Sequence, residues 1–223
     1  MQLKQQVHNE QGITLRLLIA IALLLFTLIV FWIITDEIVL EKNTRFDTFI
    51  FQKLSFLTSP FTTRLMVFFT FFGSNMFLRP AYILLIAFFL LFKKNTRLAL
   101  IIAVIGLCSS PIVPFVKDIF RRVRPSDPLI QDVMGFSFPS GHSFSAFTFF
   151  GLLTYIIWKS EIKKKWKYLL SVLFILCAAC IAFSRVYLHV HYPSDVIAGF
   201  CLSILWLTVS LWVLNKIITR FSI

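Results

Sequence analysis

The feature that most constrains this chain is a series of long apolar runs, each nearly free of charged side chains. They approach or reach the roughly 17–25 residues that a membrane-spanning helix needs. The runs are Ile13–Thr35, Phe77–Phe92 with the residues just before it, Leu98–Val116, Pro139–Trp158, the shorter Tyr168–Phe183, and Val196–Leu214. Hydrophobic residues make up 58% of the chain, against roughly 45–50% in a soluble domain. The sequence therefore predicts an all-α integral membrane bundle of six transmembrane helices, with residues 1–223 forming a single domain.

Two regions need an interpretation of their own. The first run is longer than the apolar core of a signal peptide, and ITDEIVLEK follows it where a small-residue cleavage site would lie, so we interpret it as a retained span. In residues 60–79 a Gly-Ser-Asn break and Arg79-Pro80 interrupt an apolar run. These breakers favour an extra interfacial helix near 61–72, followed by a turn and the second span. Two short crossings would reverse the topology of everything after them, and the loop charges oppose that reading.

Lysine and arginine are concentrated in certain short segments, which sets the expected orientation. Twelve bases, against Glu10 and Glu161, lie in the amino-terminal tail, at 93–97, at 159–167 and in the carboxy-terminal tail. We expect these segments, with both termini, to be cytoplasmic. Three other segments should then be extracytoplasmic: 36–60, 117–138 and 184–195 with its neighbours.

The net charge of +12 does not by itself indicate a nucleic-acid partner. The bases flank spans and have no interleaved aromatic residues that could stack on nucleotides, so membrane topology explains most of them. The four cysteines, including the pair in the CAAC at 177–180, lie in apolar segments and are interpreted as small buried hydrophobes rather than redox or metal ligands. No required protein partner is evident.

The outer segment KDIFRRVRPSDP carries Lys117 and Arg124 together with two further arginines, which breaks the positive-inside pattern. An anion bound there would offset this charge. The nearby aspartates and anionic lipid headgroups could also neutralise it, so this segment alone leaves both explanations open.

The next polar stretch, FSFPSGHSFSAF, begins an apolar run. Pro139 suits the first turn of a helix, which would place Ser140, Gly141 and His142 where backbone N–H groups are unpaired and the helix dipole is positive. That arrangement can hold an anion, with a hydroxyl and an imidazole beside it. An ordinary proline-started helix with an interfacial histidine is the alternative.

The third stretch, SRVYLHVHYPSD, lies between two apolar runs. If a helix begins near Pro193, the carboxylate of Asp195 can reach back to His191 and orient its ring as a base or nucleophile. The Tyr-Pro pair implies a turn before that helix, so Arg185 can approach the same site from the preceding span. His189, the competing histidine, lacks a carboxylate at that spacing, and we interpret it as structural or as a support for the residues of the site.

Taken together, the three stretches resemble the three-part motif of the type 2 phosphatidic acid phosphatase superfamily, which also includes vanadium haloperoxidases. The parts are Lys117 followed after six residues by Arg124-Pro125, then PSGH at 139–142, then Ser184-Arg185 followed after five residues by His191 and after three more by Asp195. In size and span number the chain resembles bacterial phosphatidylglycerophosphatase B-type enzymes. The matched residues span about a third of the chain.

The resemblance implies phosphoryl transfer through a phosphohistidine, with no metal and no cofactor. His191 would attack phosphorus with Asp195 orienting it, and His142 would protonate the leaving oxygen and then activate water. The residues that would hold the phosphate oxygens are Lys117, Arg124, Ser140, Gly141 and Arg185.

The implied substrates are lipid phosphates and diphosphates taken from the bilayer at an extracytoplasmic site. Candidates are phosphatidylglycerophosphate, phosphatidate, diacylglycerol pyrophosphate and undecaprenyl diphosphate, which the motifs cannot rank. A lipid phosphotransferase with an acceptor other than water would use the same residues. An anion transporter is a third alternative, but transporters tend to place binding groups near the membrane midplane, and the spans after residue 97 have almost no ionisable groups there.

Overall fold

Every regular element of the structure, a computed structural model, is helical within the residues it describes, which are residue 18, residues 21–131 and residues 134–221. The amino-terminal tail bases Lys4 and Arg16, Asp132 and the first residues of the predicted Ile13–Thr35 span lie outside the described residues. In chain order the helices are α1 (Ile21–Leu40, π-helical from Ile34), α2 (Arg45–Leu54), α3 (Pro60–Phe71), α4 (Asn75–Ala87, continued by a π-helical Phe88–Phe92), α5 (Thr96–Ser109), α6 (Ile112–Phe120), α7 (Gly141–Lys159), α8 (Lys164–Tyr187) and α9 (Pro193–Phe221).

Among the described residues, five helical stretches are long and apolar enough to span a membrane: Ile21–Leu40, Pro60–Phe92, Thr96–Phe120, Lys164–Tyr187 and Pro193–Arg220. The expected count of six is therefore not reproduced. The predicted span that is absent from this set is Pro139–Trp158, which corresponds to α7; its sequence GHSFSAFTFFGLLTYIIWK contains many Ser, Thr and Gly residues. Because α7 packs against α5, α8 and α9 and buries residues such as Ser143 and Thr148, it needs less apolar surface than a lipid-facing helix. The molecule is a multi-pass membrane protein.

The break predicted in residues 60–79 is present. Helix α3 starts at Pro60 with Ser59 as its cap, and a turn at residues 72–74 leads into α4. A Cβ on Gly73 would lie 2.5 Å from Ile181 and 3.2 Å from the ring of His142, so only glycine lets this turn pack so closely onto α8 and α7. The interfacial position of α3 remains a prediction.

The amino end of α7 differs from the sequence expectation in one respect. The helix begins at Gly141 and Ser140 is its cap, so Pro139 precedes the helix instead of lying in its first turn. The reason is that Ser140 is extended (φ −71°, ψ 114°) and its N–H donates to the carbonyl of Asp195 at 3.0 Å. This bond ties the start of α7 to the start of α9.

A close helix crossing supports the same junction. A Cβ on Gly199 would lie only 2.7 Å from the carbonyl oxygen of Ser140, so the first turns of α7 and α9 approach each other at a position that only glycine fits. At the opposite ends of these helices a core cluster fills the bundle, with Ile101, Ile102 and Ile105 of α5 packed against Leu152 and Ile218. The polar residues of interest are thereby confined to one end of the bundle.

Candidate active site

The three polar stretches meet at one end of the bundle because of how the helices alternate. Helix α6 ends there, α7 begins there, α8 ends there and α9 begins there, so the loop after α6 and the turn between α8 and α9 come together. The basic segments at 93–97 and 159–167 follow α4 and α7 at the opposite end. At about 1.5 Å per residue the length of α8 separates the two ends by roughly 36 Å.

His191 lies in the turn between α8 and α9 and is only 2% exposed. Its Nδ1 lies 3.5 Å from Oδ2 of Asp195, the carboxylate four residues later that the sequence identified. Within the described part of the chain Nδ1 has no hydrogen-bond partner, so this is an electrostatic contact that a small ring movement would convert into a hydrogen bond. The backbone N–H of His191 donates to the carbonyl of Arg185 at 3.2 Å, which fixes the turn against the end of α8.

The ring of His191 is held in its neutral form. Burial lowers the pKa of His191 to about 4, although Asp195 acts in the opposite direction and raises it; the positive charges of Arg185 and Lys117 lower it further. A neutral imidazole has a free lone pair, which is the form that can attack phosphorus. Nε2 lies 3.3 Å from Nη1 of Arg124, so this nitrogen faces the cationic side of the site.

Arg124 is positioned by backbone carbonyls rather than by a carboxylate. Its guanidinium donates to Gly135 at 2.9 Å, Val190 at 2.6 Å and Met134 at 3.1 Å. Partial burial lowers its pKa, and Asp195 opposes that effect. Carbonyl partners fix the direction of the fork but leave its positive charge available to an anion.

Lys117 and Arg185 are also cations without a carboxylate partner among the described residues. Lys117 donates from Nζ to the carbonyl of Phe136 and, at 3.5 Å, to that of Ser137. Arg185 is 4% exposed; Nη1 donates to Thr70 at 2.6 Å, and its buried Nε has no partner in the described part of the chain. A buried, unpaired guanidinium N–H is costly, and an anion in the site would satisfy it.

His142 and Gly141 form the first turn of α7, with the Ser140 cap before them. The hydroxyl of Ser140 accepts from the N–H and the hydroxyl of Ser143, at 3.4 and 2.9 Å. The positive charges of Arg185, Arg124 and Lys117 interact electrostatically with the His142 ring, so this ring lies among the three cations of the site. The structure thus brings together all eight residues that the sequence selected.

The structure adds a buried ionic network that sequence reasoning missed. Arg122 donates from Nη1 to Asp195 at 2.6 Å and from Nη2 to Asp47 of α2 at 2.7 Å, and its guanidinium stacks 4.0 Å above the ring of Tyr192. Asp47 is 1% exposed and also accepts from the N–H and the hydroxyl of Ser194, at 2.9 and 2.8 Å. Asp195 is therefore held from two sides, between His191 and Arg122.

Asp195 also accepts two hydrogen bonds from uncharged groups. Its Oδ2 accepts from the hydroxyl of Ser137 and, at 2.9 Å, from the backbone N–H of Tyr192.

His189, in contrast, packs its ring on Phe51 with a centroid distance of 4.5 Å and is directed toward α2. This agrees with its interpretation as structural. Asp47 is a carboxylate in the amphipathic helix α2 (RFDTFIFQKL), and no sequence pattern pairs it with Arg122, 75 residues later.

In the described part of the chain, no three His, Cys, Asp or Glu side chains cluster in a way that could hold a metal ion. The donor set of the site is instead two imidazoles, three unneutralised cations and a helix amino terminus. Such a set binds a compact anion with several oxygens.

Comparison with known proteins agrees with this chemistry. The chain is 30% identical over 151 residues to phosphatidylglycerophosphatase B of Bacillus subtilis (strain 168), covering 67% of this chain and 73% of the relative. It is 29% identical to an undecaprenyl-diphosphatase of Sulfolobus acidocaldarius, covering 73% and 75%. The fold is similar to the crystal structure of a transmembrane PAP2 type phosphatidylglycerolphosphate phosphatase from Bacillus subtilis, with a TM-score of 0.74, 28% identity, and coverage of 89% of this chain and 96% of that one.

The family assignment follows from the extent of the match. A sequence model of the PAP2 superfamily matches residues 94–218, a region that contains every predicted site residue. The resemblance inferred from the three short stretches is thereby confirmed: this chain belongs to the PAP2 superfamily.

Proposed function

We propose that this protein is a membrane lipid phosphatase that hydrolyses phosphomonoester or diphosphate headgroups through a phosphohistidine intermediate. The observation that carries the proposal is the convergence of a buried neutral His191, its carboxylate Asp195, and three cations that no carboxylate neutralises within the described residues. Phosphoryl transfer is catalysed mainly by positioning and by stabilising negative charge on the phosphate oxygens. These groups supply both.

In the first step, the Nε2 lone pair of His191 forms a bond to phosphorus while the bond from phosphorus to the leaving oxygen breaks. Asp195 stabilises the ring as it becomes positively charged. His142, which becomes protonated when the negatively charged phosphate binds beside it, donates that proton to the leaving oxygen, so the lipid product departs neutral at that atom. Lys117, Arg124 and Arg185, with Ser140 and the Gly141 backbone, hold the equatorial oxygens.

In the second step, a water molecule attacks phosphorus and the phosphorus–nitrogen bond breaks. His142, now without its proton, accepts one from that water, and inorganic phosphate leaves. His191 returns to its neutral form. The arrangement of cations makes a divalent metal unfavourable at the same place, because three positive side chains would repel it.

The substrate proposal rests on the location of the site within a membrane bundle and on relatives that carry the names of lipid phosphatases. Apolar helix surfaces around the site can bind an acyl or prenyl chain, whose removal from water contributes roughly 0.8 kcal/mol per CH2. A short water-soluble ester lacks that contribution. We therefore expect lipid phosphates to be turned over much faster than soluble ones.

We also propose six spans, in which α7 is added to the five apolar stretches and α3 lies in the interface, and a site that opens on the extracytoplasmic face. The support is that the basic segments at 93–97 and 159–167 follow helices at the end of the bundle opposite to the site, which the positive-inside tendency assigns to the cytoplasm. Single cysteines at Pro128→Cys and Lys163→Cys, with the four native cysteines replaced, test this. An impermeant maleimide on intact cells should label the first and spare the second; the reverse pattern would place the site in the cytoplasm.

The chemistry is tested by phosphate release from a panel of lipid phosphates by the detergent-purified protein. We expect release with water as the acceptor, and loss of turnover by several orders of magnitude in His191→Ala. His189→Ala is the matched control and should keep most of the activity. Activity that appears only when a sugar or lipid acceptor is added would identify a phosphotransferase, and an inert His189 variant beside an active His191 variant would overturn the assignment.

A further inference from the structure

A cavity of about 350 Å³ lies next to the proposed phosphate site. It lies between α4, α5, α6 and the start of α7, is partly open, and has Gly141 and His142 in its lining. Lys117, Arg124, Arg185 and His191 do not line it, so it adjoins the phosphate site rather than being part of it. Its size is at the lower end of the roughly 300–1,000 Å³ of small-ligand pockets.

Arg79 of α4 contributes the positive charge of this cavity. It makes no ion pair or hydrogen bond with any residue in the described part of the chain. Sequence excludes a nearby acid on the same segment, since residues 48–117 contain no Asp or Glu. Arg79 is exposed and lies in the second turn of α4, so its positive charge is available to an anion in the cavity.

Other polar side chains line the cavity together with Arg79. Asn75 and Arg79 are four residues apart, so they lie on one face of α4. Ser110 lies across the cavity between α5 and α6, and Ser145 lies one helical turn after Gly141 on α7. The cavity therefore offers one cation and several hydrogen-bond donors, without a carboxylate among its lining residues.

His142 connects this cavity to the reaction. In an in-line displacement the attacking and leaving oxygens or nitrogens lie on opposite sides of phosphorus. Because His142 is the proposed proton donor to the leaving oxygen, the leaving group must lie on its side, away from His191. That is where the cavity is.

Building on the proposed function, we infer that the cavity is a subsite for a second phosphate in the leaving group, held by Arg79. A lipid diphosphate attacked at its terminal phosphorus releases a lipid monophosphate, whose negative charge Arg79 would stabilise. In a substrate whose scissile phosphate is joined through a short polyol to a phosphodiester, the leaving group also carries a negative charge. A lipid phosphomonoester such as phosphatidate releases an uncharged alcohol and would gain nothing from Arg79.

The test compares diacylglycerol pyrophosphate with phosphatidate of the same acyl chains, measuring kcat/KM for the wild type, Arg79→Gln, Arg79→Lys and Arg64→Gln. Arg64 is an exposed arginine on α3 that does not line the cavity, and it serves as the matched control. We expect Arg79→Gln to lower kcat/KM for the diphosphate by about tenfold or more, the effect of losing one charge-assisted hydrogen bond. Phosphatidate turnover should stay nearly unchanged, Arg79→Lys should retain part of the diphosphate preference, and Arg64→Gln should match the wild type.

Phosphatidate turnover also reports that each variant is folded. An equal loss on both substrates, or no loss on either, in Arg79→Gln would overturn the subsite while leaving the phosphatase proposal intact. A wild-type protein that releases phosphate from no lipid phosphate or diphosphate of the panel would overturn the proposed function and this inference with it.

Discussion

Arg122 is the residue outside the proposed phosphate contacts whose loss we expect to damage the protein most. Its guanidinium, 10% exposed, lies between the buried carboxylates of Asp47 and Asp195, at 2.7 and 2.6 Å. Arg122→Gln removes the charge that separates them and leaves two buried anions close together. The same change removes the ion pair of Asp195 on the side opposite to His191.

The cost can be estimated from the partners that each variant leaves unpaired. Removing one partner of a buried ion pair typically costs about 3–5 kcal/mol, because the remaining charge is uncompensated. Asp47→Asn is milder: Arg122 keeps Asp195, and the loss is one charge-assisted hydrogen bond of about 1.5–3 kcal/mol. Combining Asp47→Asn with Arg122→Gln removes one of the two unpaired anions, so the double variant should be more stable than Arg122→Gln alone.

Thermal unfolding in one detergent, followed by circular dichroism, measures this order. We expect Tm to fall from the wild type to Asp47→Asn and further to Arg122→Gln, with the double variant above Arg122→Gln. Arg121→Gln is the matched control, because Arg121 is exposed and its side chain, among the described residues, donates only to the carbonyl of Asp118, at 3.1 Å. A wild-type Tm in Arg122→Gln, or a double variant whose Tm is lowered by the sum of the single effects, would refute the reasoning.

Other predictions follow from single features of the site. Gly199→Ala should reduce kcat strongly, since the new Cβ would lie 2.7 Å from the Ser140 carbonyl oxygen. In Gly151→Ala the new Cβ meets a leucine methyl group, which can move, so this variant should keep its activity. The rate of phosphate release is measured for both variants. Because the pKa of His191 is lowered to about 4, His191 stays neutral below the usual histidine range, and the acid limb of the kcat/KM profile should lie well below pH 6.5. Asp195 raises the pKa of His191, so this limb should move lower still in Asp195→Asn. An acid limb at pH 6.5 in the wild type would contradict the burial argument. Phosphate release should continue in EDTA and be inhibited by orthovanadate, and a loss in EDTA that magnesium or zinc restores would contradict a cation-based site.

The sequence contained most of the local information. Apolar runs and breakers located the helices, and the spacing of His191 and Asp195 across Pro193 predicted a turn followed by a helix that begins at that proline, as the structure has it. These predictions succeed because they depend on neighbours within one or two helical turns. The sharing of one site by segments 117 to 195 followed from the alternation of helices.

What the sequence could not provide depends on contacts between distant segments. Asp47 lies on α2, and only the folded bundle brings it to Arg122 and Ser194. The start of α7 at Gly141 is set by the bond from Ser140 to the Asp195 carbonyl, which no helix-start pattern encodes. Helix α7 contains many hydroxyl groups for a related reason, since burial among other helices permits more of them than lipid contact does.

The most direct test of a phosphohistidine mechanism is to trap the intermediate on His191. In His142→Gln the water-activating group is absent, and an aryl phosphate with a good leaving group needs no protonation to depart, so the phosphoenzyme should accumulate. The protein is quenched at alkaline pH, where phosphohistidine is stable, digested and analysed by mass spectrometry, with His142→Gln/His191→Ala as the control. We predict one phosphate on the peptide that contains His191 and none in the control; an unmodified His191 while phosphate is still released, or a phosphate on another residue, would contradict the mechanism.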